Sequence, residues 1–376
     1  MPPAALALAS PPARTRDVTP AVVLERLRAA LPAMAGRAAI LDQQPSFPSE
    51  DIAVLRHIGA LEVFAGDAPT PLQLMEALRL VGRANLSVGR LFEGHINGAK
   101  LVSWYGDDFQ RRRLAQDLEN GALYGVWNTE PNPGARIIRG GKGPILAGYK
   151  CFASGAGHVD RAIITALEAS GARRMVVVDG ADAARADPTG WKVRGMKATL
   201  SGLYNLSAIP VTREALLGEA GDYEREPRFS AGAWRFTAVQ LGGAERILGL
   251  IRDHLTAATA GVHMVQRARF AGAVAATRSA WLWVREAALR AEAPNAGPDE
   301  IALVLMTRGV VERAGLDVME AAARLVGTRA FFMECPIDLA CRDLALYLRQ
   351  PGPDKALDRA AEAFLERDAW SDDRLW

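Results

Sequence analysis

The chain has 376 residues, of which 45 are basic and 43 acidic, for a net charge of +2. That balance, with no polybasic run, argues against nucleic acid as a partner, and no apolar stretch is long and uncharged enough to span a membrane. Three cysteines, Cys151, Cys335 and Cys341, without a CxxC pair exclude a disulfide scaffold and a structural zinc site, and they fit a reduced cytoplasm.

Residues 1–18 read as a flexible leader: "MPPAALALASPPARTRD" has a short apolar run but no basic segment before it, and prolines flank it. Residues 19–120 form an N-terminal helical domain. In "SEDIAVLRHIG" Ser49 is the expected N-cap and Gly59 the close, and "PLQLMEALRLVGRAN" and "LFEGHINGAKLVSWYG" repeat the helical spacing. Residues 121–226 change texture. Short β-branched or aromatic runs such as "LYGVWN", "RAIITA" and "RRMVVVD" alternate with Gly, Pro and Asp, which predicts a central domain of short antiparallel strands. Residues 227–376 return to long amphipathic segments, with Gly297, Pro298 and Asp299 marking one helix start, and predict a C-terminal helical bundle. This α+β order of helices, sheet and helices excludes a repetitive βαβ fold, and no Gly-rich phosphate loop follows a strand.

Within the β zone, "KCFASGAGHVD" places Phe152 and Ser154 two residues apart. In a strand such residues share a face, so a flat ring and a hydroxyl would stand side by side on one wall. A strand Phe is more often core, and a Ser before Gly more often a turn residue.

Several stretches taken together resemble the acyl-CoA dehydrogenase superfamily. "YGVWNTEPNPGA" is similar to its Thr-Glu-Pro turn, and "GYKCFASGAGHVD" to the strand after it. "GWKVRGMKATLSGLYNLSAIPV" resembles a later hairpin, and "LVGTRAFFMECPIDLACRD" the region ending in an Arg-Asp pair. With "DQQPSFPSEDIAVLRHIGAL" they cover nearly the whole chain in order. The resemblance implies a homodimer or homotetramer with FAD, or FMN, between the β domain and the bundle. It implies that Phe152 lies against the flavin ring, Ser154 near its N5, and Asn128 and Thr129 along its pyrimidine edge. Trp127, Gly134, Ala135, Arg324 and Gly327 complete the implied cofactor set, with Trp127 lining the substrate pocket or filling core.

The chain departs from that pattern at the base that takes the substrate's α-proton, a position restricted by geometry. Alignment on Arg342 and Asp343 puts Pro351 where most members carry Glu. At the alternative position stands Gly232, with no acid from Phe229 to Leu241. Glu334, Asp343 or another acid would have to reach in, and Asp343 beside Arg342 reads as a structural ion pair. The Arg-x-x-Phe-Gly stretch that reaches a neighbour's FAD is missing between His254 and Gln266, and a Gly-Gly is reduced to Gly327-Thr328. These losses resemble the flavin-dependent monooxygenases of two-component systems, which take reduced flavin from a reductase. The "LSVGRLFEGHINGAKLVSWYG" helix is similar to one that brings a histidine to the pocket, here His95, so His95 and Ser154 are the implied catalytic pair.

Three readings stand at this point. One is a flavin oxidoreductase acting on an acyl thioester or a carrier-bound acyl group, with an electron-transfer partner. The second is a monooxygenase supplied by a flavin reductase. The third is a flavin-free, non-catalytic homologue, which a site filled by Trp127 and Phe152 would support.

Overall fold

A computed structural model of the chain describes residues 18–259, 261–350 and 352–366. The predicted leader, apart from Val18, lies outside the described residues. Among the described residues six helices come first: α1 (Pro20–Gln43), α2 (Ser49–His57), α3 (Ala60–Ala65), α4 (Pro71–Ala84), α5 (Leu86–Tyr105) and α6 (Asp108–Glu119). Ser49 is the first residue of α2, and Pro48 takes the N-cap position without a side-chain bond. Gly59 does end that helix, in the left-handed region at φ +84° that a side chain disfavours. Between α4 and α5 Asn85 serves both helices. Its backbone N–H donates to the Val81 carbonyl, and its side-chain oxygen accepts from Ser87 N at 2.9 Å.

Nine strands follow: β1 (Tyr124–Trp127), β2 (Arg136–Gly140), β3 (Gly143–Ala147), β4 (Tyr149–Ala153), β5 (Arg161–Leu167), β6 (Arg173–Asp179), β7 (Ala186–Asp187), β8 (Gly202–Asn205) and β9 (Leu216–Leu217). One sheet runs β3-β2-β5-β6-β9, with β1 also on β5, and a smaller one runs β4-β8-β7. The antiparallel expectation holds for most pairs, but β1 and β2 both run parallel to β5. Residues 128–160 carry the chain from β1 out to the second sheet and back, so β5 re-enters beside β1 in the same direction.

The last zone holds α7 (Arg228–Ala231), α8 (Trp234–Thr256), α9 (Met264–Ala291), α10 (Pro298–Val326), α11 (Pro336–Tyr347) and α12 (Pro353–Glu366). The three zones do not keep separate cores. One buried cluster runs from Leu27 and Leu78 in the first helices through Trp127 and Ile164 to Val239 and Val304. Its tightest joint is the crossing of α4 and α8, where a Cβ on Gly82 would overlap the Val239 carbonyl and one on Gly242 the Arg79 carbonyl.

Candidate flavin-binding wall

The pairing of β4 with β8 slips between Lys150, opposite Tyr204, and Ala153, opposite Gly202. Three steps on one strand answer two on the other, which is a β-bulge. Phe152 sits in it with φ +52°. The twist turns its ring outward, 57% exposed and edge-on to Trp191 at 6.1 Å. The strand ends at Ala153, so Phe152 and Ser154 do not share a face by strand alternation. A tight turn follows the bulge, in which Ser154 N donates to Phe152 O at 3.0 Å. Gly155 then bends the chain at φ +71° against α5, where a Cβ would stand 3.0 Å from Leu91 Cδ2.

Behind Ser154 lies a chain of hydroxyls. Ser154 Oγ is 2.8 Å from Ser201 Oγ, Ser201 donates to Thr199 Oγ1 at 2.8 Å, and Thr199 donates to the Met196 carbonyl at 2.8 Å. Ser201 and Thr199 are buried and Ser154 is half-buried. Nothing in the spacing of "TLSG" marks these two residues, because their role exists only once β8 lies beside β4.

A second network stands behind Asn128. Lys150, fully buried, donates from Nζ to Asn128 O at 3.0 Å, to Glu130 Oε1 at 2.6 Å and to Thr165 Oγ1 at 3.0 Å. Burial lowers the Lys150 pKa to about 8, against the upward pull of Glu130. With Thr165 oxygen accepting from Lys150, the Thr165 proton goes to Asn128 Oδ1 at 2.6 Å. Asn128 therefore turns its amide N–H groups away from the network, and they donate to no partner among the described residues. Thr129 is exposed, and its carbonyl accepts from Cys151 N at 3.0 Å, which ties the turn to β4.

The remaining residues of the implied set are placed differently. Trp127 is buried in the core and its indole donates to the Ser154 carbonyl at 3.0 Å, so it holds the turn and lines no opening. Ala135 is fully buried and its carbonyl accepts from Leu167 N, which leaves Gly134, half-buried, as the free member of that pair. Arg324 is exposed and paired with Glu320 on its own helix at 2.7 Å. Gly327 ends α10 at φ +71° with open space around it.

His95 is the largest correction. It is fully buried, its Nδ1 accepts from Tyr124 N at 3.0 Å, and its Nε2 is 2.8 Å from the Leu61 carbonyl. These partners fix the neutral Nε2–H tautomer, and burial lowers its pKa to about 4. Both ring nitrogens are spent on backbone, so His95 ties α5 to α3 and β1 and has nothing to offer a substrate.

The base positions stay without an acid. Pro351 lies outside the described residues. At Gly232 a Cβ would stand 2.5 Å from Arg235 NH2, so the guanidinium takes that space. Arg235 is buried, and it donates to Asn97 Oδ1 at 2.5 Å and to Glu292 Oε1 at 2.6 Å. Burial pushes the Glu292 carboxyl up, but Arg235 and Lys100 outweigh it and hold the pKa at about 2. Glu334 is exposed. Asp343 is no partner of Arg342, which pairs with Asp42 and Asp338, both at 2.7 Å. Asp343 instead accepts from Met196 N at 2.6 Å, and burial raises its pKa to about 7.

No protein-family model matches the sequence, and no curated protein does. Solved structures match it over nearly its whole length. FMN-bound TdsC from Paenibacillus sp. A11-2, a dibenzothiophene monooxygenase, aligns with TM-score 0.82 at 20% identity over 92% of this chain and 97% of that one. Methanesulfinate monooxygenase MsuC from Pseudomonas fluorescens gives TM-score 0.78 at 17% identity, over 91% and 96% of the two chains. Butyryl-CoA dehydrogenase from Megasphaera elsdenii gives 0.79 at 17%, over 94% and 100%. The architecture is that of these proteins.

Proposed function

We propose that this chain, which has the acyl-CoA dehydrogenase fold, is a flavin enzyme that takes reduced flavin from a separate reductase and uses it with oxygen on a small molecule. The observation that carries the reading is the wall at Phe152, Ser154 and Asn128 combined with two base positions that hold no acid. Phe152 presents an exposed ring in a strained left-handed conformation, which costs about 1–3 kcal/mol and is kept only where the surroundings impose it. A bound isoalloxazine would cover that ring, while Asn128 N–H groups donate to its carbonyl edge and Ser154 meets N5. FMN is bound by TdsC, and FAD or FMN is the cofactor this wall fits.

When bound, the flavin supplies the redox chemistry. The protein's part is to orient it, to keep bulk water from the Phe152–Ser154 wall and to hold the polar partners in one arrangement. Dehydrogenation of an acyl thioester additionally needs a proton acceptor opposite the flavin. Arg235 fills the Gly232 position, and Asp343 is engaged with the Met196 peptide, so neither supplies one. Against the flavin-free reading, Trp127 lies in the core and Phe152 points outward.

Anaerobic titration with reduced FMN and reduced FAD tests the reading. Saturable binding that Phe152→Ala weakens by about tenfold is expected, since a stacked aromatic contributes about 1 kcal/mol beyond its buried area. Absence of binding to either flavin would refute it.

A further inference from the structure

The hydroxyl chain behind Ser154 has only one possible direction. A carbonyl can only accept, so the single Thr199 hydroxyl proton points to Met196 O. Thr199 then has none for Ser201, and the proton between those two belongs to Ser201. With that proton committed, Ser201 Oγ can only accept across its 2.8 Å contact with Ser154. Three protons therefore run inward, and the Ser154 oxygen at the outer end shows lone pairs alone.

The anchor of the chain is held firmly. The Met196 carbonyl also accepts from Trp191 Nε1 at 3.1 Å, and Met196 N donates to Asp343. Ser201 is 6% exposed and Thr199 1%, so water does not replace either link. Among the described residues four non-glycine residues have positive φ, and three of them, Phe152, Met196 and Leu200, surround this chain. Such strain persists where the packing around it imposes the conformation, and it gathers at sites with a task.

Resting on the flavin reading above, we infer that Thr199 and Ser201 are positioning residues that hold Ser154 as an obligate acceptor, so that the site selects reduced over oxidised flavin. Reduced flavin carries a hydrogen on N5 and can donate it to Ser154. Oxidised flavin has a lone pair there, and lone pair would face lone pair.

The test is the ratio of dissociation constants for oxidised and reduced FMN, measured anaerobically by flavin fluorescence and absorbance. The unaltered protein is expected to bind reduced FMN at least tenfold more tightly. Ser201→Ala frees the Ser154 proton, and Thr199→Val frees the Ser201 proton to turn toward Ser154. Each is expected to shrink the ratio about three- to tenfold, the effect of one hydrogen bond. Thr199→Ser, which keeps the hydroxyl, should preserve it. A second measurement needs no substitution: oxidised 5-deaza-FMN has a C–H where N5 stands, so it should bind the unaltered protein more tightly than oxidised FMN.

A ratio unchanged in Ser201→Ala and Thr199→Val, or 5-deaza-FMN binding no tighter than FMN, would overturn the relay and leave the flavin site standing. No binding of flavin in any state would remove both.

Discussion

Phe152 shows what a single residue reveals and hides. Its neighbourhood in "KCFASGAG" marked it as a wall for a flat ligand, but strand alternation was the wrong geometric reason. The bulge that turns the ring outward depends on the register with β8, some fifty residues later, and no local pattern states it. Because φ is +52°, Phe152→Gly should relieve strain and raise stability by about 1 kcal/mol even as flavin binding falls. A thermal melt and a flavin titration on the same sample would check this; a variant that loses stability contradicts the assignment of strain. His95 teaches the reverse lesson. Its place on a helix between Gly94 and Ile96 suits a pocket or a core equally well, and its partners Leu61 and Tyr124 are distant in sequence. Its folded pKa, about 4, lies below the ordinary 6.5, so between these values the unfolded chain takes up a proton that the folded chain refuses. The contribution is complete above pH 6.5 and is lost as pH falls toward 4, by roughly 3 kcal/mol. His95→Gln should remove that slope from denaturant unfolding measured across pH 4–7, and an unchanged slope would count against the buried neutral ring.

At the scale of elements, the helices were readable because their apolar spacing and caps are local. Gly59 after α2 and Gly297 with Pro298 at the start of α10 are examples. What the spacing could not carry is contact between elements. The parallel entry of β5 beside β1 depends on the intervening excursion, and the burial of Arg235 depends on Glu292 reaching it from beyond the end of α9. Asp343 belongs here too, since its carboxylate joins α11 to the loop that begins the hydroxyl chain. Its folded pKa, raised to about 7 by burial, exceeds the ordinary 3.8, so the folded chain keeps a proton the unfolded chain has released. That contribution is complete below pH 3.8 and disappears as pH rises through 7. Asp343→Asn retains an acceptor for Met196 N without the charge, and at pH 8 it should stabilise the protein by on the order of 2 kcal/mol. Equal destabilisation at pH 4 and pH 8 would contradict this.

For the whole molecule, the resemblance to acyl-CoA dehydrogenases rested on five motif stretches standing in order, while composition showed only the change of texture from helical to strand-rich and back. The shared core was not readable, because residues such as Gly82 and Gly242 carry no sign of the helix that will cross them. The same limit applies to the site. Its ring and hydroxyl stand in one motif, while the groups that orient them come from Thr165, Thr199 and Ser201 on other strands and loops. No helix among the described residues is long and apolar enough to cross a membrane. On the proposed reading, this fold serves oxygen chemistry with reduced flavin and not desaturation. Rapid mixing of the anaerobic protein–reduced flavin complex with oxygen, followed by absorbance, tests it most directly. Bound flavin is expected to react through a species spectrally distinct from both the reduced and the oxidised forms and persisting well beyond free flavin's own oxidation. Bound oxidised flavin that is instead bleached by an acyl-CoA thioester would contradict it, and would mean that a base is supplied from elsewhere in the protein.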